Sequence, residues 1–185
     1  MRSKVTLVLL AAIVCILAFS GTVSAKNFSA DVVFKSDEQV MTGKIYIADQ
    51  KMRMDLSEMI TITRMDKKVV WTLMPDEKMY MEMALMPGQH IPGADEETAG
   101  KVERVRLGTE NVNGLAADKY RVTLVDDKDK DEWFEWIAID SGFPVKMASV
   151  DNSWSHEYKN IVFGEPPAAK FEVPAGYTRM AMPGR

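Results

Sequence analysis

The residue types that usually carry chemistry are sparse in this sequence, and their spacing is wrong for the common sites. The run His156-Glu157-Tyr158-Lys159-Asn160 begins like a zinc-protease motif, but Asn160 stands where the second His is required. It also reads as a strand, whereas that motif needs a helix to bring positions i and i+4 together. Asp127, Asp129 and Asp131 have the alternate spacing of a calcium loop without its obligatory Gly and closing Glu, so a solvated turn is expected. With two His and one Cys in 185 residues, a transition-metal site of nitrogen and thiolate ligands is not expected. No nucleophile elbow, phosphate-binding glycine loop or dinucleotide fingerprint occurs. The sequence therefore predicts a protein that is not an enzyme and takes no cofactor.

Methionine is the residue that stands out. Of 14 in the chain, nine fall between Met52 and Met86. In a strand, alternate residues share a face, so Met79, Met81 and Met83 form a ribbon of unbranched thioethers, and Met52 and Met54 a shorter pair. Three readings stay open at this point. The methionines fill a core; they form an adaptable surface that repacks around apolar partners; or their soft sulfurs take Cu(I).

The second feature is a set of strands apolar on both faces. In Glu132–Asp140, Phe134 and Trp136 point one way and Trp133, Ile137 and Ile139 the other, and Trp71 follows Val69 and Val70. Such strands need cover on both sides. The long loop, the proline-rich tail or a ligand could supply it. The candidate lining of an apolar site is accordingly Met52, Met54, Trp71, Met79, Met81, Met83, Met86, Phe134 and Trp136.

The elements that must position these residues are almost all strands. Period-two alternation recurs at Phe28–Phe34, Lys44–Ala48, Lys51–Asp55, Met59–Met65, Val69–Met74 and Lys78–Met83, with polar turns such as Asp49-Gln50, Asp66-Lys67-Lys68 and Pro75-Asp76-Glu77 between them. Residues Met86–Gly100 break the pattern and read as a long functional loop. Strands resume near Val102, and Asn113-Gly114 is the dipeptide of a type I′ hairpin. Trp154, His156, Tyr158 and Val162 are expected on one face of a last strand, followed by an irregular tail. Ten or eleven antiparallel strands in one sheet must curl, so the expected class is mainly β, a strongly curved antiparallel sheet or incomplete barrel with a few short helices or loops on its concave side.

Residues 1–25 read as a cleaved signal peptide: Arg2 and Lys4, an apolar run from Val5 to Phe19, then Val23-Ser24-Ala25. Cys15 lies inside that run behind the bulky Val14, which disfavours a lipidation signal. Residues 26–185 are expected to form a single β domain, exported to the periplasm and devoid of Cys, hence of disulfides. Removing the leader leaves 21 basic and 27 acidic residues, a charge of −6. That balance argues against nucleic acid or an anionic membrane as partner. No later apolar segment is long enough to span a membrane.

The order of these features resembles the LolA-like group of periplasmic lipoprotein carriers. Gly43–Ile47 leads into Lys51–Asp55, then Met65–Trp71 with Pro75 and Tyr80. Asn113-Gly114-Leu115 precedes Lys119–Val122, and Trp136–Asp140 runs through Gly142 to Pro144-Val145-Lys146. Phe171–Tyr177 is similar to the group's terminal phrase. The resemblance implies an incomplete antiparallel barrel whose hydrophobic concave face accepts acyl chains. The chain departs from the carriers in lacking a helix before the first strand and an Arg beside a Pro near Asp49-Gln50-Lys51, and so resembles a shorter branch of the fold. The expected function is a periplasmic carrier or binding module for a lipid, acyl chain or lipoprotein; the alternative is an envelope protein-interaction or sensing domain with a self-filled core.

Overall fold

The computed structural model describes residues 27–36, 39–85, 101–125 and 130–180. The leader, Met86, the rest of the loop to Gly100 and residues 126–129 lie outside them. The chain is mainly β. Its strands are β1 (Phe28–Ser36), β2 (Gln39–Ala48), β3 (Lys51–Leu56), β4 (Met59–Arg64), β5 (Val69–Met74), β6 (Met79–Ala84), β7 (Lys101–Val112), β8 (Leu115–Val125), β9 (Lys130–Ala138), β10 (Pro144–Ser149), β11 (Trp154–Phe163) and β12 (Thr178–Arg179), with one 3-10 turn, η1 (Ala168–Phe171). Hydrogen bonding links them in the order β12-β6-β5-β4-β3-β2-β1-β11-β10-β9-β8-β7, an open sheet whose two edge strands are not partners. The pairings from β1 to β6 and from β7 to β10 are antiparallel and β12 runs parallel to β6, so the tail expected to be irregular adds a strand.

The chain divides into two compact units, one of residues 92–155 and one of residues 25–91 with 156–185. The second is a run of hairpins. Its turns place Gln50, Ser57, Lys68 and Lys78 at φ between 48° and 55°, the left-handed step that closes a short hairpin. Pairing is continuous through Ile47↔Met52, Met54↔Thr61, Thr72↔Met81 and Met74↔Met79, which fixes the two faces. Gly43 sits where β2 and β3 approach closely: a β-carbon there would meet the Asp55 carbonyl oxygen at 2.1 Å.

One face of this unit carries Tyr46, Ala48, Ile60, Ile62, Val69, Trp71, Leu73 and Tyr80, and the C-terminal segment packs on it. Phe171 of η1 is 1% exposed among them, with Val173 and Tyr177 beside it. Two buried guanidinium groups fasten the segment. Arg53 Nη1 donates to the Lys170 carbonyl at 3.1 Å and Arg64 Nη1 to the Phe171 carbonyl at 3.0 Å. Each arginine also holds an aspartate two residues on, Asp55 at 2.6 Å and Asp66 at 2.6 Å. Arg64 holds the Asp66 carboxyl below the ordinary range. Glu172 closes the cluster on Arg64 and on Lys67.

On the opposite face, β1 and β11 contribute an aromatic row. Phe34 stacks on His156 at 4.4 Å and Phe28 meets Tyr158 edge-on at 5.9 Å. The expected alternation of β11 holds to Tyr158 and then fails. Asn160 takes φ 50°, donating its side-chain amide to Asp31, and Val162 turns out to solvent at 63% exposure. A left-handed residue inside a strand shifts the alternation.

Two predictions follow from this packing. Phe171→Ala opens a cavity under the tail and should cost about 3–5 kcal/mol, read as a lower denaturation midpoint. His156 is 4% exposed, and burial lowers its pKa to about 4. The unfolded imidazole titrates near 6.5 (about the model-peptide value), so between these values the unfolded chain binds the extra proton and stability falls as pH falls. The loss is about 2–3 kcal/mol at pH near 4.5. His156→Phe keeps the stack and should lose less stability than the parent between pH 7 and 4.5, measured by urea unfolding at both values.

Candidate functional site

The register of β2–β6 gathers the methionines on one face. Met41 pairs with Phe34, Met52 with Ile47 and Thr63, Met54 with Ile45 and Thr61, Met59 with Leu56, and Met74 with Met79, while Met81 and Met83 lie opposite Thr72 and Val70. Directly opposed residues stand about 5 Å apart at Cα, so the side chains form a continuous surface. It has a gradient: Met52 and Met54 are buried, Met79 and Met81 half-buried, and Met83 and Met59 are 40% and 38% exposed. Thr61, Thr63 and Thr72 lie between the β3 pair and the β6 ribbon. This face is therefore two sulfur-bearing bands flanking a band of Thr61, Thr63, Thr72 and Val70.

The structure thus brings together Met52, Met54, Met79, Met81 and Met83. Trp71 is not with them. It stands on the reverse of the sheet, under the tail, with its Nε1 donating to Glu82 at 3.0 Å and Lys67 over its ring at 5.2 Å. Of the three possible covers for Trp71's face, the tail supplies it. Met86 lies outside the described residues.

Phe134 and Trp136 belong to the other unit, on the face of β9 that also carries Lys119, Arg121 and Lys146 through the pairings Lys119↔Trp136, Arg121↔Phe134 and Lys146↔Trp136. Lys119 lies 4.8 Å from the Phe134 ring and 4.7 Å from Trp136, Lys146 lies 4.9 Å from Trp136, and Arg121 lies 5.7 Å from Phe134. Trp136 Nε1 donates to Glu110 at 2.7 Å, and Glu110 also accepts from Lys119. Those two donors hold the Glu110 carboxyl below its usual range. Alkylammonium stems lying over aromatic rings make a cation-covered aromatic ladder, chemically different from a bare apolar lining.

The residues that sequence reasoning passed over are Arg53 and Arg64. Each lies in a strand with Met on the following position and Asp two positions later, the repeated spacing Arg53-x-Asp55 and Arg64-x-Asp66. That repetition of a charge at an inward position was the available signal. Among the described residues no group of three or more His, Cys, Asp or Glu side chains could hold a metal ion, and no helix is long and apolar enough to cross a membrane.

The chain is similar to several solved structures. The Pseudomonas aeruginosa MucA/MucB complex is similar at 13% identity and TM-score 0.54, over 81% of this chain and 56% of that one. The Mycobacterium tuberculosis lipoprotein LppX is similar at 15% identity and TM-score 0.49, over 79% of this chain and 89% of that one. A putative outer membrane lipoprotein-sorting protein domain from Vibrio parahaemolyticus matches at 10% identity and TM-score 0.36, over 80% and 90%. The chain spans little more than half the length of the MucB structures it matches. At that level of identity the likeness to MucB shows a shared fold alone. No curated protein matches the sequence. The family model described as a domain of unknown function (DUF4412) matches residues 19–136, well over half of the chain, and the chain belongs to that family.

Proposed function

We propose that this chain, after loss of residues 1–25, is a single-domain carrier or binding module of the bacterial envelope that takes an acyl chain or acylated partner on the methionine face of β2–β6. One observation carries the reading. The reverse face of the same strands is filled by the chain's own Phe171, Val173 and Tyr177, whereas the methionine face grades from buried Met52 to Met59 and Met83 at 38% and 40% exposure. Unbranched thioethers follow the contour of a flexible guest better than branched aliphatics. Burying ten methylenes contributes about 8 kcal/mol before ordering costs, so such a site needs no charged anchor. The chemistry is binding; no catalytic constellation is invoked.

A second reading has its own support. MucB, whose fold this chain shares, is seen in complex with MucA, which favours an envelope protein as partner. On that reading the methionine face receives an apolar segment of a polypeptide.

The test uses mature Lys26–Arg185 and N-phenylnaphthylamine, a neutral apolar fluorophore. Native mass spectrometry of the freshly purified chain should show co-purified lipid, and the fluorophore should bind with micromolar affinity. Met79→Ser/Met81→Ser/Met83→Ser should weaken binding about tenfold or more, from several lost methylene-sized contacts each of about 0.8 kcal/mol. The Met→Leu triple variant should stay within about threefold of the parent. A lipid-free protein without fluorophore binding overturns the acyl reading. Loss of binding in the Leu variant would assign the role to sulfur rather than to apolar surface.

A further inference from the structure

The register orders the methionine face of β3–β6 into rows. Met52, Thr63, Val70 and Met83 make one, and Met54, Thr61, Thr72 and Met81 the next. Two residues further along each strand come Leu56 with Met59, and Met74 with Met79. Met83 and Met59 thus belong to the two outer rows, and they are 40% and 38% exposed, against 7% for Met52 and 9% for Met54. Their cross-strand neighbours differ as well. Met52, Met54 and Met81 each stand opposite a threonine, whereas Met83 stands opposite Val70 and Met59 opposite Leu56. Residues 26–185 contain no Cys, so thioethers are the only oxidisable sulfur there.

We propose that Met59 and Met83 are sites of reversible oxidation to methionine sulfoxide, a modification that weakens apolar binding on the face they border. Hydrogen peroxide is the oxidant. The thioether sulfur takes one oxygen atom: an S–O bond forms as the O–O bond breaks, and the leaving hydroxide collects a proton to become water. Sulfur is oxidised and the peroxide reduced. A sulfoxide reductase reverses the step, two thiols closing to a disulfide while the oxygen leaves as water. Exposure sets the order of attack. The oxidant reaches Met59 and Met83 on the closed sheet, whereas Met52 and Met54 need it to open locally. The effect on binding comes from the neighbours. A sulfoxide oxygen is an acceptor, and the side chains of Val70 and Leu56 have no donor to offer it. Water satisfies it instead, and an apolar guest must strip that water away. The tail-covered core of Ala48, Ile62, Trp71, Leu73 and Phe171 holds no methionine, so the modification leaves it intact. The inference rests on the acyl-binding reading and adds a means of turning that face off.

The experiment treats the mature chain with dilute hydrogen peroxide, locates sulfoxides by peptide mass spectrometry, and titrates N-phenylnaphthylamine before and after. Met59 and Met83 should oxidise about tenfold faster than Met52, Met54 and Met147, which is 6% exposed in β10. The oxidised protein should bind the fluorophore about tenfold more weakly and keep its far-ultraviolet circular dichroism. Sulfoxide reductases for the two epimers should restore the affinity. In Met59→Leu/Met83→Leu, affinities before and after peroxide should agree within about twofold, because leucine takes no oxygen. Oxidation of Met52 and Met54 as fast as Met59 and Met83, unchanged affinity in the oxidised parent, or an equal loss in the double variant overturns this proposal alone. If the untreated protein binds no fluorophore, it falls together with the acyl reading.

Discussion

Two arginines reaching out of the sheet to the backbone of the C-terminal turn fix which face of β2–β6 that segment covers. Arg53 and Arg64 are buried yet saturated, each bidentate on an aspartate and each donating to a carbonyl of the η1 region. Charge-assisted bonds of this kind hold a segment in one position, and the position they set drops Phe171 between Ile62, Trp71 and Leu73. A buried guanidinium without its partners would be costly, so the tail and the sheet are not separable parts. The tail thereby covers one face of these strands and leaves the methionines on the other.

The two faces also differ in mechanical character. The tail-covered face is built from Ile, Leu, Val and aromatic side chains, which have few rotamers and pack as a rigid core. The other carries methionines on several strands, with three rotatable bonds each, and threonines between them. One sheet thus has a stiff side and a compliant side.

Most strands were legible because alternation is a direct imprint of a half-buried sheet, and the turn residues mark where it stops. The assignment of faces across turns was not. A one-residue change in a hairpin flips every later side chain, and nothing in Val69-Val70-Trp71 states whether Trp71 follows Met52 or opposes it. The pairing Ile62↔Trp71 and Thr72↔Met81 settles that it opposes. In β9 both sides are apolar, and the distinction lies in neighbours distant in sequence. Phe134 and Trp136 face Lys119, Arg121 and Lys146, whereas Trp133 faces Val122. Val162 was misplaced by the left-handed step at Asn160. The short parallel strand β12 has only two residues, too few to leave a periodic signal.

The dependence of the sheet on residues 170–179 has a consequence for synthesis. The hairpins of β2 to β6 pair residues close in sequence and can form as soon as they emerge. The contacts of Arg53 and Arg64 with residues 170–172 span more than a hundred positions and wait until those residues have been made. Until then Ile62, Trp71 and Leu73 lie bare on a nascent sheet, with the β6 edge lacking β12. Exposed apolar surface beside an open strand edge is the combination that aggregates. Burial of that face and pairing of that edge are thus completed only once residues 168–179 have been made.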